Sequence, residues 1–224
     1  MRAMPGSEPA GDDRVIGNGH VPVGRAWLSR PSLQVAPDIL GAVLVSSAPE
    51  GIVAVRITEV EAYAGADDPG SHAYRGRTSR NEVMFGRAGH LYVYFAYGMH
   101  WCANVVCGPA GEASAVLLRA GEVISGLAVA RSRRPTARTD RDLARGPARL
   151  ASALGLERSH NGLDLCDPGS PLVLQSGDGR SGRISTGPRV GLALAADRPW
   201  RYWLTGDPTV SPYRPHAPRR RTTL

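Results

Sequence analysis

At 224 residues, 42% of them hydrophobic, the chain is long enough for one well-cored domain. A formal charge of +7 and a pI near 9.9 favour a polyanionic partner, and three cysteines without CxxC spacing argue against a disulfide framework and against a zinc site. All 27 basic residues are arginine, which excludes lysine Schiff-base chemistry and makes every basic group a planar guanidinium suited to phosphate and to stacking. A GC-rich genome explains most of that bias. No segment approaches the roughly 20 apolar residues of a membrane span, so a soluble cytoplasmic protein is expected.

Residues 1–24, rich in Pro and Gly, read as a flexible leader. Ser32 to Gly41 predicts a short helix interrupted by Pro37 and closed by Gly41, and Ala42 to Ser47 a buried strand. Ile52 to Tyr63 predicts a strand whose apolar face changes partway. Val53, Val55 and Ile57 point one way, and an unbroken pleat would send Glu59, Glu61 and Tyr63 after them. Two carboxylates do not replace core residues cheaply, so the strand carries a bulge or its end opens into a cleft.

Ala64 to Gly89 predicts a long loop of the kind that is either functional or disordered. Leu91 to Phe95 and Met99 to Cys107 predict a β-hairpin turning at Ala96-Tyr97-Gly98. Five of the seven tyrosines lie between Tyr63 and Tyr97, and Arg56, Arg75, Arg77, Arg80 and Arg87 interleave with them or flank them, as a nucleic-acid surface requires. A strand is expected over Ser114 to Arg119, helix over Glu122 to Arg134, and more helix over Asp140 to Gly155, restarting at Pro147. Seven arginines between Arg131 and Arg149 form a solvated face or a phosphate contact. Short strands are expected at Pro171 to Gln175, Arg189 to Ala195 and Trp200 to Leu204, and residues 212–224, with Arg219-Arg220-Arg221, read as a disordered basic tail.

A recessed carboxylate among tyrosines suits hydrolysis of a glycosidic bond: the carboxylate activates water and supports an oxocarbenium-like sugar while the tyrosines bind a flat ring. Glu59 and Glu61 also raise a carbohydrate alternative, since their Cα atoms would be about 6.6 Å apart at strand rise. Carboxylates on one strand face point in parallel, however, and do not flank a bond.

The ordered blocks Glu61-Ala62-Tyr63, His72 to Asn81, Met84-Phe85-Gly86, Leu91 to Tyr94, Tyr97 to His100, Asn104 and Val116 to Ala120 resemble the alkyladenine type of 3-methyladenine DNA glycosylase. The likeness continues through Gly146 to Leu150, Pro188 to Gly191 and Trp200 to Trp203, and spans roughly Ser29 to Ser211. The resemblance implies a monofunctional enzyme, without lyase activity, that flips a damaged purine out of double-stranded DNA and hydrolyses its N-glycosidic bond. It implies an α+β fold in a single domain over 25–211: a curved, largely antiparallel sheet with surrounding helices and a protruding hairpin that intercalates into DNA. Carried over residue by residue, Glu61 becomes the general base that activates water for attack on C1′, and Arg119 helps hold that water and the local backbone. Tyr63, His72 and Tyr94 become the base pocket, Asn104 the group that crowds out guanine, and Tyr97 with Met99 the wedge. Glu59 is left as a supporting or solvated carboxylate, Tyr92 and Phe95 as hairpin core, and His90 and His100 as structural residues. No metal or cofactor is expected, and the family expectation is a monomer. A non-catalytic damaged-DNA-binding protein is the alternative reading, and Glu61 alone separates the two.

Overall fold

The computed structural model describes residues 21–96, 98–177 and 182–217. Among them, one curled antiparallel sheet, shaped like half a barrel, carries short helices on its core side. Its strands are β1 (Val43–Ala48), β2 (Gly51–Tyr63), β3 (Leu91–Ala96), β4 (His100–Val106), β5 (Ala115–Ser125), β6 (Leu172–Gln175), β7 (Ile184–Gly187) and β8 (Arg201–Leu204). The order is β3-β4-β5-β2-β1-β6, with β8 bridging β2 and β7. The helices are α1 (Arg25–Leu28), α2 (Ser32–Asp38), α3 (Leu127–Arg133) and α4 (Pro147–Ala153). This is the α+β class expected from the sequence.

β2 is the spine. One of its edges pairs with β5, while the other is shared: its first half takes β1 and its second half takes β8, through Glu59, Val60 and Glu61. The change of face resolves into a bulge. Ile57 pairs with Gly121 and Glu59 with Ala120, so Thr58 has no residue opposite it; on β5, Arg119 is skipped in the same way between Ala120 and Leu118. The extra residue shifts the pleat by one. Val53, Val55 and Ile57 enter the main core, and so do Val60 and Ala62. Glu59, Glu61 and Tyr63 are thereby turned away from that core. Thr58, left over in the bulge, is fully buried, and its hydroxyl lies 2.8 Å from that of Thr209.

Around this spine α4 packs on β4 and β5, and α2 on β2 and β5. The long loop over 64–89 is ordered by a buried amide. Asn81 donates from Nδ2 to the carbonyls of His72 and Gly76, and its Oδ1 accepts from the Thr78 backbone at 2.6 Å.

Three expectations change. Helix was expected from Glu122, but β5 runs on to Ser125, because Arg56 pairs across the strands with Glu122 and Gly121 lies so close to β2 that a Cβ would meet the Arg56 carbonyl at 2.6 Å. Gly126, at φ 74° and hard against the Ile52 carbonyl, then turns the chain into α3. Arg189 to Ala195 is not a strand: Gly191 and Ala195 both have positive φ, and Arg189 is drawn inward by Asp68. The strand near it in sequence is β7. Phe95 is not hairpin core; it is exposed and leans on Trp101 at 4.7 Å between ring centroids. Of the expected leader, 21–24 lie along β6 through Val23 and Val21. Residues 1–20, Tyr97 and the run Arg219-Arg220-Arg221 fall outside the described residues.

Candidate active site

The bulge places Glu59, Glu61 and Tyr63 on one face, and the matching irregularity on β5 presents Arg119 to them. Both glutamates are fully buried. Glu61 Oε1 accepts the backbone N–H of Val190 at 2.7 Å and stands 3.2 Å from Arg119 Nη1, while Oε2 accepts the Tyr63 hydroxyl at 2.9 Å. Burial, followed by the negative charge of Glu61, pushes the Tyr63 phenol well above its ordinary range, so it stays protonated and able to donate.

Behind them, Glu59 Oε1 accepts Arg119 Nε at 2.8 Å, Arg201 Nε at 2.6 Å and the Ser211 hydroxyl at 3.0 Å, and Oε2 accepts the Ser211 N–H at 2.7 Å. Burial pushes the Glu59 carboxyl up, but the Arg119 and Arg201 guanidiniums and Ser211 outweigh it, and the net direction is down. Arg119 answers in kind: burial opposes its charge, and Glu61 and Glu59 overcome that and hold it firmly protonated. Glu59 is therefore a buried ion with four bonds rather than a solvated one.

Facing the carboxylate of Glu61 is an aromatic wall. Alternation along β3 sends Leu91 and Val93 into the main core and Tyr92 and Tyr94 to the other face. Tyr92 and Tyr94 stack at 5.6 Å, and His72 meets Tyr94 edge-on at 4.5 Å. His72 Nδ1 lies 3.3 Å from the Tyr92 hydroxyl. His72 is exposed at the mouth of the cleft, yet the surrounding rings desolvate its imidazole, and together with the Arg80 charge they lower its pKa; the ring is neutral near pH 7. Burial pushes the Tyr94 phenol far up, so it too is neutral.

Between carboxylate and wall runs a cleft of about 400 Å³, a volume suited to a single flat heterocycle. Glu61, Tyr63, His72, Tyr94, Asn104 and Arg119, all singled out from the sequence, line it. Asn104, opposite Tyr92 in the ladder, donates Nδ2 to the Tyr92 carbonyl at 3.2 Å, which fixes its amide on the cleft floor. Glu59 is not among the lining residues. With one carboxylate at the cleft and the other sealed behind it, the pair does not flank a bond, and the carbohydrate alternative loses its geometry. Tyr92, read as hairpin core, is both: nearly fully buried and part of the cleft wall. Met99 stands 67% exposed at the hairpin end, and Tyr97 beside it falls outside the described residues.

Sequence reasoning gave no role to Arg189 or Val190. Arg189 is fully buried, bonded to both oxygens of Asp68 at 2.5 and 2.7 Å and to the Ala62 carbonyl at 3.0 Å, and its guanidinium lies 4.6 Å from the Tyr63 ring and 5.1 Å from that of Trp200. It fastens the loop whose next residue supplies the N–H on Glu61. The only signal for it was its place in the block Pro188 to Gly191, since its run read as an ordinary strand.

The cleft sets a single recessed carboxylate opposite stacked aromatic rings on a curled sheet, an arrangement able to hydrolyse an N-glycosyl bond. Residues 26–208 match the family model of methylpurine-DNA glycosylase, and the chain belongs to that family. A protein of Streptomyces avermitilis assigned by name as a 3-methyladenine DNA glycosylase is 58% identical over 205 residues, covering 90% of this chain and 96% of its own length. One from Leifsonia xyli with the same assignment is 55% identical over 201 residues, covering 86% and 93%. Another from Burkholderia lata is 47% identical over 188 residues, covering 84% and 89%.

Proposed function

We propose that the protein is a monofunctional DNA glycosylase of base excision repair that takes alkylated or deaminated purines out of duplex DNA in the cytoplasm, acting as a monomer through a unit spanning 25–211. The observation that carries this reading is Glu61: a buried carboxylate open to the cleft, oriented by three polar partners and facing rings on which a base can stack.

In this reading the flipped purine slides between Tyr94 with His72 on one side and Tyr63 on the other. Stacking tolerates several bases and is worth about 1–3 kcal/mol per base, which fits a site that accepts more than one lesion. Tyr97, with Met99, fills the gap left in the helix and offsets part of the few kcal/mol of unstacking. Asn104 crowds the 2-amino group of normal guanine. Glu61 takes a proton from water as its oxygen bonds to C1′, and the electron pair of the breaking C1′–N bond leaves with the purine. Arg119 holds the water and the carboxylate in place. A purine carrying an extra alkyl group on a ring nitrogen leaves as a neutral base, so one carboxylate suffices.

The test is incubation of the purified protein with duplex DNA carrying one hypoxanthine, ethenoadenine or methylated purine, with free base measured. Release by the wild type, and its loss in Glu61→Gln with lesion binding retained, is the expected result. Binding without release by the wild type would leave a damage-binding protein in its place.

A further inference from the structure

Glu59 and Glu61 share one arginine, and they share it unequally. Arg119 gives its Nε–H to Glu59 as a directed hydrogen bond of 2.8 Å, whereas its Nη1 only approaches Glu61, at 3.2 Å. Glu59 cannot yield: Arg201 and the backbone and hydroxyl of Ser211 hold it from the other side. Arg201 is itself pinned, donating to the Ser211 carbonyl at 2.9 Å and lying over the Trp203 ring at 4.6 Å.

What this prevents can be counted in lone pairs. A carboxylate offers roughly four acceptor positions. On Glu61, Val190 takes one at Oε1 and Tyr63 takes one at Oε2. A guanidinium that closed on Glu61 as a two-pronged fork would take one more on each oxygen, and none would remain for a water. We propose that Glu59 is a positioning residue that keeps the fork of Arg119 turned away from Glu61, so that Glu61 retains a free electron pair with which to deprotonate the attacking water. This inference rests on the reading of Glu61 as the base.

A merely structural Glu59 would balance charge in a buried group of two carboxylates, Glu59 and Glu61, and two guanidiniums, Arg119 and Arg201. The two roles part on pH. The charged and titratable groups facing Glu61 are Tyr63 from its own strand, Arg119 from β5, Tyr92 and Tyr94 from β3 and Cys102 from β4, with His72 and Arg80 from the 64–89 loop lining the same cleft; those facing Glu59 are Arg119 and Arg201. Among these, Glu59 is the one whose removal frees Arg119 to close on Glu61.

The experiment compares wild type, Glu59→Gln, Glu59→Gln/Arg201→Gln and Glu61→Gln in single-turnover release of hypoxanthine from duplex DNA across pH, scaled to the folded fraction measured by circular dichroism. Duplex binding is measured alongside. Glu59→Gln is expected to bind as the wild type does, to release base at least about tenfold more slowly, and to move the acid limb of the rate profile down by about one pH unit, as a carboxylate newly closed on by a guanidinium requires. The double variant keeps the buried charges balanced and is expected to show the same shift, which carries the test if the single variant does not fold. An acid limb at the wild-type pH, with a normal rate per folded molecule, overturns the proposal and leaves Glu59 a charge-balancing residue. Turnover retained by Glu61→Gln overturns the base reading itself; an inactive Glu61→Gln with an unmoved Glu59→Gln limb removes only the positioning role.

Discussion

The two ends of the cleft are built in opposite ways. At the β2–β5 end, Glu59, Glu61, Arg119, Arg189 and Asp68 are buried and each is held by two or more polar partners, with Glu59 taking four bonds and Arg189 clamped by Asp68 between two rings. At the end of the β3–β4 hairpin, Phe95 and Met99 are exposed, with Phe95 leaning only on the half-buried Trp101 ring among its described aromatic neighbours. The contrast fits the two demands of the proposed function. A group that removes a proton must be held within tenths of an ångström before the substrate arrives, whereas a group proposed to enter a DNA helix must stay free of its own protein until then.

Glu61→Gln should lower base release by about 10²–10⁴-fold, the range of general-base catalysis, while leaving lesion binding near normal in a gel-shift or anisotropy titration. Asp68→Ala leaves the Arg189 guanidinium buried without its carboxylate and should cost about 3–5 kcal/mol in denaturant unfolding; a loss under about 1 kcal/mol would show that the clamp relaxes to water. Tyr94→Ala should weaken capture of a lesion duplex by about 1–3 kcal/mol. Met99→Ala, at the opposite extreme, should change stability by less than about 0.5 kcal/mol and register only in lesion capture.

Acid sharpens the comparison without a mutation. The folded-state pKa of Glu59 lies below its ordinary value of 4.5, so its contribution to stability is fully present above that pH and is lost as the pH falls through the folded value. Unfolding free energy measured against pH should therefore decline below about 4.5, and Glu59→Gln should flatten that decline. Among the described residues the hairpin end carries no such buried ion, so it should not add to the slope.

Much of the frame was legible because it rests on local signals. A short apolar run gave β1, alternation gave β2, the turn at Ala96-Tyr97-Gly98 gave the β3–β4 pair, and Gly146-Pro147 gave the start of α4. The conflict at Glu59 and Glu61 left a bulge or a strand end opening into a cleft; the structure has the bulge, which keeps both Ile57 and Val60 in the core. What local signals miss is long-range capture. Glu122 belongs to a strand because Arg56, 66 residues earlier, binds it. Arg189 reads as one more arginine in an arginine-rich chain until Asp68, 121 residues away, is placed beside it. The residues lining the cleft came from matched blocks rather than from pattern, because a pocket wall has no periodicity of its own.

The single surplus residue at Thr58 has a consequence for how this protein can change. Core residues and the cleft carboxylate occupy the same strand, and only a half-step of phase keeps them on opposite sides of the sheet. Point substitutions leave that phase intact, so the site can be retuned one side chain at a time. Removing one residue between Ile57 and Glu59 would instead exchange the two faces at a stroke, driving Glu61 inward and Val60 out. The chain tolerates edits in spelling there but not in length.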